Sequence, residues 1–234
     1  MRIAMWSGPR NLSTAMMYSF AARSDFAVWD EPFYAAYLKQ SGSDHPMKDD
    51  IISTHESDPH VVARLCSGSN PREKPHFYMK HMPLHMLPGF PQEWAHDCVN
   101  VHLIRHPARV IASYAAKREK PTLDDIGFRQ QVELFDRFPG PVIDSFDIRE
   151  NPEGMLRRLC NEIDLPWDPA MLHWEKGPKP YDGVWATHWY GAVHHSTGFA
   201  APEGDLPKLE PRFRELEAAA MPFYAAMLDH KISA

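Results

Sequence analysis

Two arginines stand where an anion could be held. Arg10 lies in Trp6-Ser7-Gly8-Pro9-Arg10-Asn11-Leu12-Ser13-Thr14, between a short apolar run and a stretch of helical composition. Arg105 lies in Leu103-Ile104-Arg105-His106-Pro107, after the most strand-like run in the chain, with Ser113 about two helical turns beyond it. A loop that leaves a strand and opens a helix presents unpaired backbone amides at the positive end of the helix dipole, which favours a bound anion. An arginine beside it adds a fixed charge and a fork of donors. Ser13, Thr14 and Ser113 add hydroxyls. Glu31 and His81 also follow apolar runs, in Asp30-Glu31-Pro32 and Lys80-His81-Met82-Pro83.

The elements that must position these groups follow from the pattern. Apolar and β-branched runs predict strands at 2–6, 26–29, 76–80, 98–104 and 141–145. Helices are expected at 13–23, 33–40, 108–119, 123–138, 152–163 and 210–228, the last interrupted near Pro222. Pro107 suits the first position of its helix. Residues 41–60 are polar and turn-rich, which predicts a surface excursion, and 185–199 carry little regular pattern. Alternating strands and helices predict an α/β fold: three layers, with a mainly parallel central sheet of about five strands flanked by helices. The length of 234 residues suits one domain over 1–234. In such sheets ligands sit beyond the carboxyl ends of the strands, and Arg10, Glu31, His81 and Arg105 all belong to that edge.

Composition narrows the function classes. The net charge of −6 argues against a broad nucleic-acid-binding face. No apolar run approaches the ~18 residues of a membrane span. Neither a signal-peptide order nor paired cysteine spacing is present, and Cys66, Cys98 and Cys160 read as reduced thiols of a cytoplasmic protein. Oligomeric state leaves no mark on the sequence.

The first loop is not a Walker A sequence. Counted from Gly8, Ser13, Thr14 and Ala15 occupy the Gly-Lys-Ser/Thr positions. The fourth strand ends in Arg105 rather than an acidic metal ligand. Magnesium-dependent phosphoryl transfer uses both parts, so a nucleotide or small-molecule kinase is the weaker reading. A hydrolase of phosphate or sulfate esters lacks an evident nucleophile elbow. A non-catalytic nucleotide-binding module stays open.

Together the two segments resemble the sulfotransferase family. Pro9-Arg10-Asn11-Leu12-Ser13-Thr14 is similar to the family's Pro-Lys-Ser-Gly-Thr-Thr loop, which holds the 5′-phosphosulfate. Arg105-His106-Pro107 followed by Ser113 is similar to its Arg-Asn-Pro…Ser segment, which holds the 3′-phosphate. The stretch from Val142 through Asn151-Pro152 to Leu165-Pro166-Trp167 resembles the segment that follows. Arg10 for lysine, Leu12 for glycine and Arg109 for an acidic residue are departures.

The resemblance implies a P-loop-like fold and a sulfuryl transfer from 3′-phosphoadenosine 5′-phosphosulfate to a hydroxyl or amine of a small-molecule or carbohydrate acceptor, without a metal. Pro9, Arg10, Asn11, Leu12, Ser13, Thr14, Arg105 and Ser113 would hold the donor, and Arg10 would stabilise the charge growing on the leaving phosphate. Adenine could stack on an aromatic ring of 185–199 while Ser196 or Thr197 closes over the 3′-phosphate. The histidines there have no carboxylate or cysteine at metal-ligand spacing. The proton acceptor is His81, which resembles the histidine of the family's Lys-Thr-His-Leu-Pro segment, or Glu31, which resembles a carboxylate used by carbohydrate-type members. His81 is favoured because imidazole titrates near neutrality, whereas Glu31 needs burial to raise its pKa.

Overall fold

The five predicted strands form one parallel sheet. β1 (Arg2–Ser7), β2 (Phe26–Asp30), β3 (His76–His81), β4 (Val99–Ile104) and β5 (Val142–Asp144) lie in the order β2-β3-β1-β4-β5. The computed structural model describes residues 1–116 and 120–233. β1 is central, and its alternating side chains feed two cores. Ile3 and Met5 join Met16, Phe20 and Tyr78 on one face. Ala4 and Trp6 join Phe33, Phe77 and Met79 on the other. A parallel strand covered on both faces reads as a continuous apolar run, as Ile3 to Trp6 does. Burial of each large apolar side chain there contributes about 1.5–3 kcal/mol.

The first helices connect strands at the amino half. α1 (Ser13–Ala21) follows β1, and α2 (Tyr34–Ser41) follows β2. The excursion expected at 41–60 lies at the surface, with only Ile51 buried, and carries helical turns that the sequence did not suggest. α3 (Lys48–Thr54) docks through buried Ile51, and α4 (Pro59–Ser67) through Val62, Ala63 and Cys66. Asp58 caps α4 by accepting from the His60 amide at 2.8 Å, with Pro59 at the first helical position.

α5 (Pro107–Ala115) starts on Pro107, and the His106 ring accepts from the Ala108 amide at 3.2 Å. The expected extension to Glu119 reaches residues 117–119, which lie outside the described residues. The helix expected over 123–138 is two, α6 (Leu123–Ile126) and α7 (Phe128–Arg137), because Gly127 takes φ 71° between them. That turn brings Gly127 against the first loop: a Cβ on it would lie 3.9 Å from Gly8 Cα.

α8 (Ser145–Glu150) begins directly after β5, with the Asp144 carboxylate accepting from the Phe146 amide at 2.8 Å. α9 (Pro152–Glu162) packs Met155, Leu156, Leu159 and Cys160 into the first core. The segment 185–199 is more regular than expected, with short turns α10 (Ala186–Trp189) and α11 (Gly191–His194). α12 (Arg214–Leu228) runs through Pro222 without interruption, since buried Ala220, Tyr224 and Met227 fasten it on both sides of the proline. Among the described residues no helix is long and apolar enough to cross a membrane.

Candidate active site

A cavity of about 350 Å³ opens at the carboxyl edge of the sheet. The loop after β1 forms one wall. Arg10 and Leu12 both hold left-handed backbone, with φ of 64° and 78°. This conformation strains an L-residue by roughly 1–2 kcal/mol. Distant groups over-determine it. Gln131 of α7 accepts from the Gly8 amide at 3.0 Å and donates to the Trp6 carbonyl at 3.0 Å. Asn11 donates to the Leu103 carbonyl of β4 at 3.2 Å. No side chain caps α1, and its first turn carries no acidic residue, so its leading amides remain available to an anion. Pro9, Arg10, Asn11, Leu12, Ser13 and Thr14 all line the cavity.

Arg105 and Ser113 line the same cavity. Arg10 Nε donates to Ser113 Oγ at 2.9 Å, and an Arg105 Nη donates to the Arg10 carbonyl at 2.5 Å. The two predicted cradles therefore meet. Burial, and then the charge of Arg105, lowers the Arg10 pKa. The two guanidiniums repel each other, and an anion between them would relieve the repulsion.

The other side of the cavity is a buried ionic cluster. Lys80 Nζ lies 2.9 Å from Asp30 Oδ1, 2.6 Å from Glu31 Oε1 and 2.5 Å from the Tyr190 hydroxyl. Tyr190 donates to Asp30 Oδ2 at 2.7 Å and accepts from Trp185 Nε1 at 3.0 Å. Burial raises the Glu31 pKa, against the opposing pull of Lys80. Burial disfavours the charged form of Lys80, yet the adjoining Asp30 and Glu31 raise its pKa overall. His85 Nδ1 lies 3.9 Å from Glu31 Oε2. The His85 ring stacks on Tyr34 and Tyr37, with centroids 4.5 and 4.8 Å away, and burial holds it neutral.

His81 is not part of this cavity, which corrects the expectation that made it the favoured base. Lys80 pairs with Asp30 in the β2–β3 register and takes the cavity side. Successive strand residues point to opposite faces, so His81 faces away. Its ring packs 4.8 Å from Trp6 and 4.8 Å from Trp94, it is 1% exposed, and burial pushes its pKa down to about 3. Ser196 and Thr197 also part company. Ser196 lines the cavity, while Thr197 is exposed outside it and accepts from the Trp174 amide through its carbonyl at 3.1 Å. His194, in the histidine-rich segment, contacts Asp182 at 3.0 Å.

Four residues in or beneath the site were not named individually as site residues: Tyr190, His85 and Arg149 line the cavity, and Gln131 lies under the first loop. Tyr190 carried a signal, since it sits in the aromatic- and histidine-rich segment 185–199, and His85 lies just beyond the Lys80–Leu84 stretch that carried the resemblance. Gln131 and Arg149 carried none, because each reaches the site only by the packing of its helix.

The described geometry can be set beside known proteins. A family model described as "Sulfotransferase domain" matches residues 1–231. Two curated relatives from Arabidopsis thaliana, the branched-chain-amino-acid aminotransferase-like proteins 2 and 1, are each 37% identical over 97% of this chain. The chain spans 41% and 42% of their lengths. Among solved structures, the sulfotransferase domain from the curacin biosynthetic pathway is similar at TM-score 0.57 and 17% identity, over 98% of both chains. The sulfotransferase from Alicyclobacillus acidocaldarius is similar at TM-score 0.55 and 13% identity, over 98% of this chain and 96% of its own. With a family model running nearly from end to end, the chain belongs to the sulfotransferase family.

Proposed function

We propose that residues 1–234 act as one domain that transfers a sulfuryl group from 3′-phosphoadenosine 5′-phosphosulfate to a hydroxyl (or amine) of a small-molecule or carbohydrate acceptor. The observation that carries this reading is the Arg10–Ser113–Arg105 junction, which puts the loop after β1 and the start of α5 on one cavity. Arg10 and the α1 amides would hold the 5′-phosphosulfate, with Ser13 and Thr14 adding hydroxyls. Arg105 and Ser113 would hold the 3′-phosphate, and Ser196 would border it.

Glu31 is the better base on this geometry. It lines the cavity, and its raised pKa makes it a stronger proton acceptor than an ordinary carboxylate. Glu31 takes the acceptor's proton as the acceptor oxygen bonds to sulfur. The bond from sulfur to the bridging oxygen breaks, and Arg10 with the loop amides receives the charge left on the phosphate. Lys80 keeps Glu31 oriented and neutralises Asp30. This scheme routes no step through a metal.

The names of the two plant relatives do not alter it. Lys80, the lysine on the cavity, is fastened between two carboxylates and a phenol rather than free as an amine nucleophile. Three unpaired thiols, Cys66, Cys98 and Cys160, are compatible with a cytoplasmic setting.

Thermal-shift measurements with 3′,5′-adenosine bisphosphate, ATP, and ATP with magnesium test the donor class. Stabilisation by the bisphosphate without magnesium supports the reading. A response to ATP only with magnesium would instead support a kinase.

A further inference from the structure

One cluster at the edge of the cavity contains three residues, Arg109, Arg149 and Glu203, with no part in the scheme above. The Glu203 carboxylate is gripped by three guanidiniums. Arg105 Nη2 contacts Glu203 Oε1, Arg109 Nε lies 3.3 Å from Oε2, and Arg149 Nη1 lies 2.7 Å from Oε1. The three arginines come from the end of β4, from α5 and from α8, and the Glu203 side chain is 3% exposed. One carboxylate among three arginines leaves an excess of positive charge, which a dianion would neutralise better. Arg105 and Arg149 also line the cavity itself.

The rest of the segment is attached in the same way. Arg149 donates to the Ala201 carbonyl, and Arg109 to those of Glu203 and Gly204. Around Glu203 the side chains of Ala201, Pro202, Asp205 and Leu206 are exposed, so apolar packing does little to hold the segment down. A contact made of exchangeable hydrogen bonds to arginine is one that a stronger anion can replace.

We propose that Arg105, Arg109 and Arg149 form a phosphate-monoester seat, and that Glu203 fills it from within the chain until a phosphate displaces segment 200–205. Taken as the seat for the donor's 3′-phosphate, this rests on the sulfotransferase reading and adds Arg109 and Arg149 to the binding groups. Glu203 then sets donor affinity as an internal competitor, and the displaced segment lies more open to solvent while the phosphate is bound.

Titration calorimetry of the whole chain tests this, with 3′,5′-adenosine bisphosphate and inorganic phosphate as separate probes. Glu203→Gln should tighten both by about tenfold, the scale of ~1.4 kcal/mol of lost competition. Limited proteolysis of the unaltered protein gives a second measurement that needs no variant. The bisphosphate should speed cleavage within 199–210. Bisphosphate binding that is equal or weaker in Glu203→Gln, or a segment equally or better protected with bisphosphate bound, overturns the proposal and leaves the donor assignment standing. Tighter inorganic phosphate without any bisphosphate binding upholds the seat and sinks the nucleotide donor.

Discussion

Arg10 Nε and Ser113 Oγ lie 2.9 Å apart although 103 residues separate them in the chain. That single bond ties the loop after β1 to α5, and so ties one proposed anion cradle to the other. Most of what can be tested about this site follows from it and from the buried cluster around Lys80.

Replacing Arg10 with alanine removes both the charge on the cavity and the bridge to Ser113. Turnover should fall by about 10²–10³, the scale seen when one preorganised donor to a developing negative charge is lost. Arg10→Lys keeps the charge but loses the Ser113 geometry, so it should recover part of the loss. Steady-state kinetics with a fixed acceptor would decide; a wild-type rate in Arg10→Ala would remove Arg10 from the chemistry.

Glu31→Gln and His81→Leu separate the two base candidates. The glutamine should lower kcat by roughly 10²–10⁴ with little change in bisphosphate affinity. The leucine should leave kcat within a few-fold, because His81 lies behind the cavity wall among Trp6 and Trp94. The opposite ranking would restore His81 as the base.

Lys80→Met leaves Asp30 and Glu31 buried together without their cation. Breaking such a pair from one side costs about 3–5 kcal/mol, to be read from urea unfolding. Adding Asp30→Asn should return part of it, since one of the two orphaned charges is then gone. Simple additivity of the two losses would show that Asp30 and Lys80 are not coupled.

Gln131→Ala should weaken donor binding from a position that does not touch the donor. It leaves the buried Gly8 amide and the Trp6 carbonyl without their partner, which costs about 1–3 kcal/mol for each unsatisfied group. The strained loop loses its clamp at the same time. Bisphosphate affinity and unfolding midpoint should both fall, and an unchanged affinity would show that the loop holds its shape alone.

Acid should destabilise the fold through buried imidazoles. Burial pushes His81 down to about 3 and His102 to about 4, from the ordinary 6.5. Above 6.5 both rings are neutral folded or unfolded. Below it the unfolded chain binds protons that the folded chain refuses, so stability is lost as pH falls towards the folded values. Each ring contributes about 1.4 kcal/mol per pH unit in that window. Glu31, raised by burial, acts with the opposite sign as pH falls towards 4.5. Urea midpoints from pH 7 to 4.5 should show the decline, and His81→Leu should reduce its slope by about one proton.

The residues alone marked the five strands and the two arginine-bearing segments beyond β1 and β4. Parallel strands buried on two faces announce themselves as continuous apolar runs, and a charged residue in the loop after such a run must stand at the carboxyl edge. Arg10, Glu31 and Arg105 were legible for that reason, as was the order of elements around them. Local turn chemistry was partly missed: Asp58-Pro59 was a helix start already present in the residues, and Gly127 a break between two helices.

Only the tertiary structure decided which side chains face the cavity. A run buried on both faces has no polar alternation to mark its sides, so β3 alone cannot say whether Lys80 or His81 looks inward. The β2–β3 register decides it by setting Lys80 opposite Asp30. Gln131 beneath the first loop, and Glu203 among three arginines, depend likewise on how separate helices and a loop pack. No local pattern encodes contacts between groups roughly a hundred residues apart, because burial and charge pairing bring them together only once the chain has closed on itself.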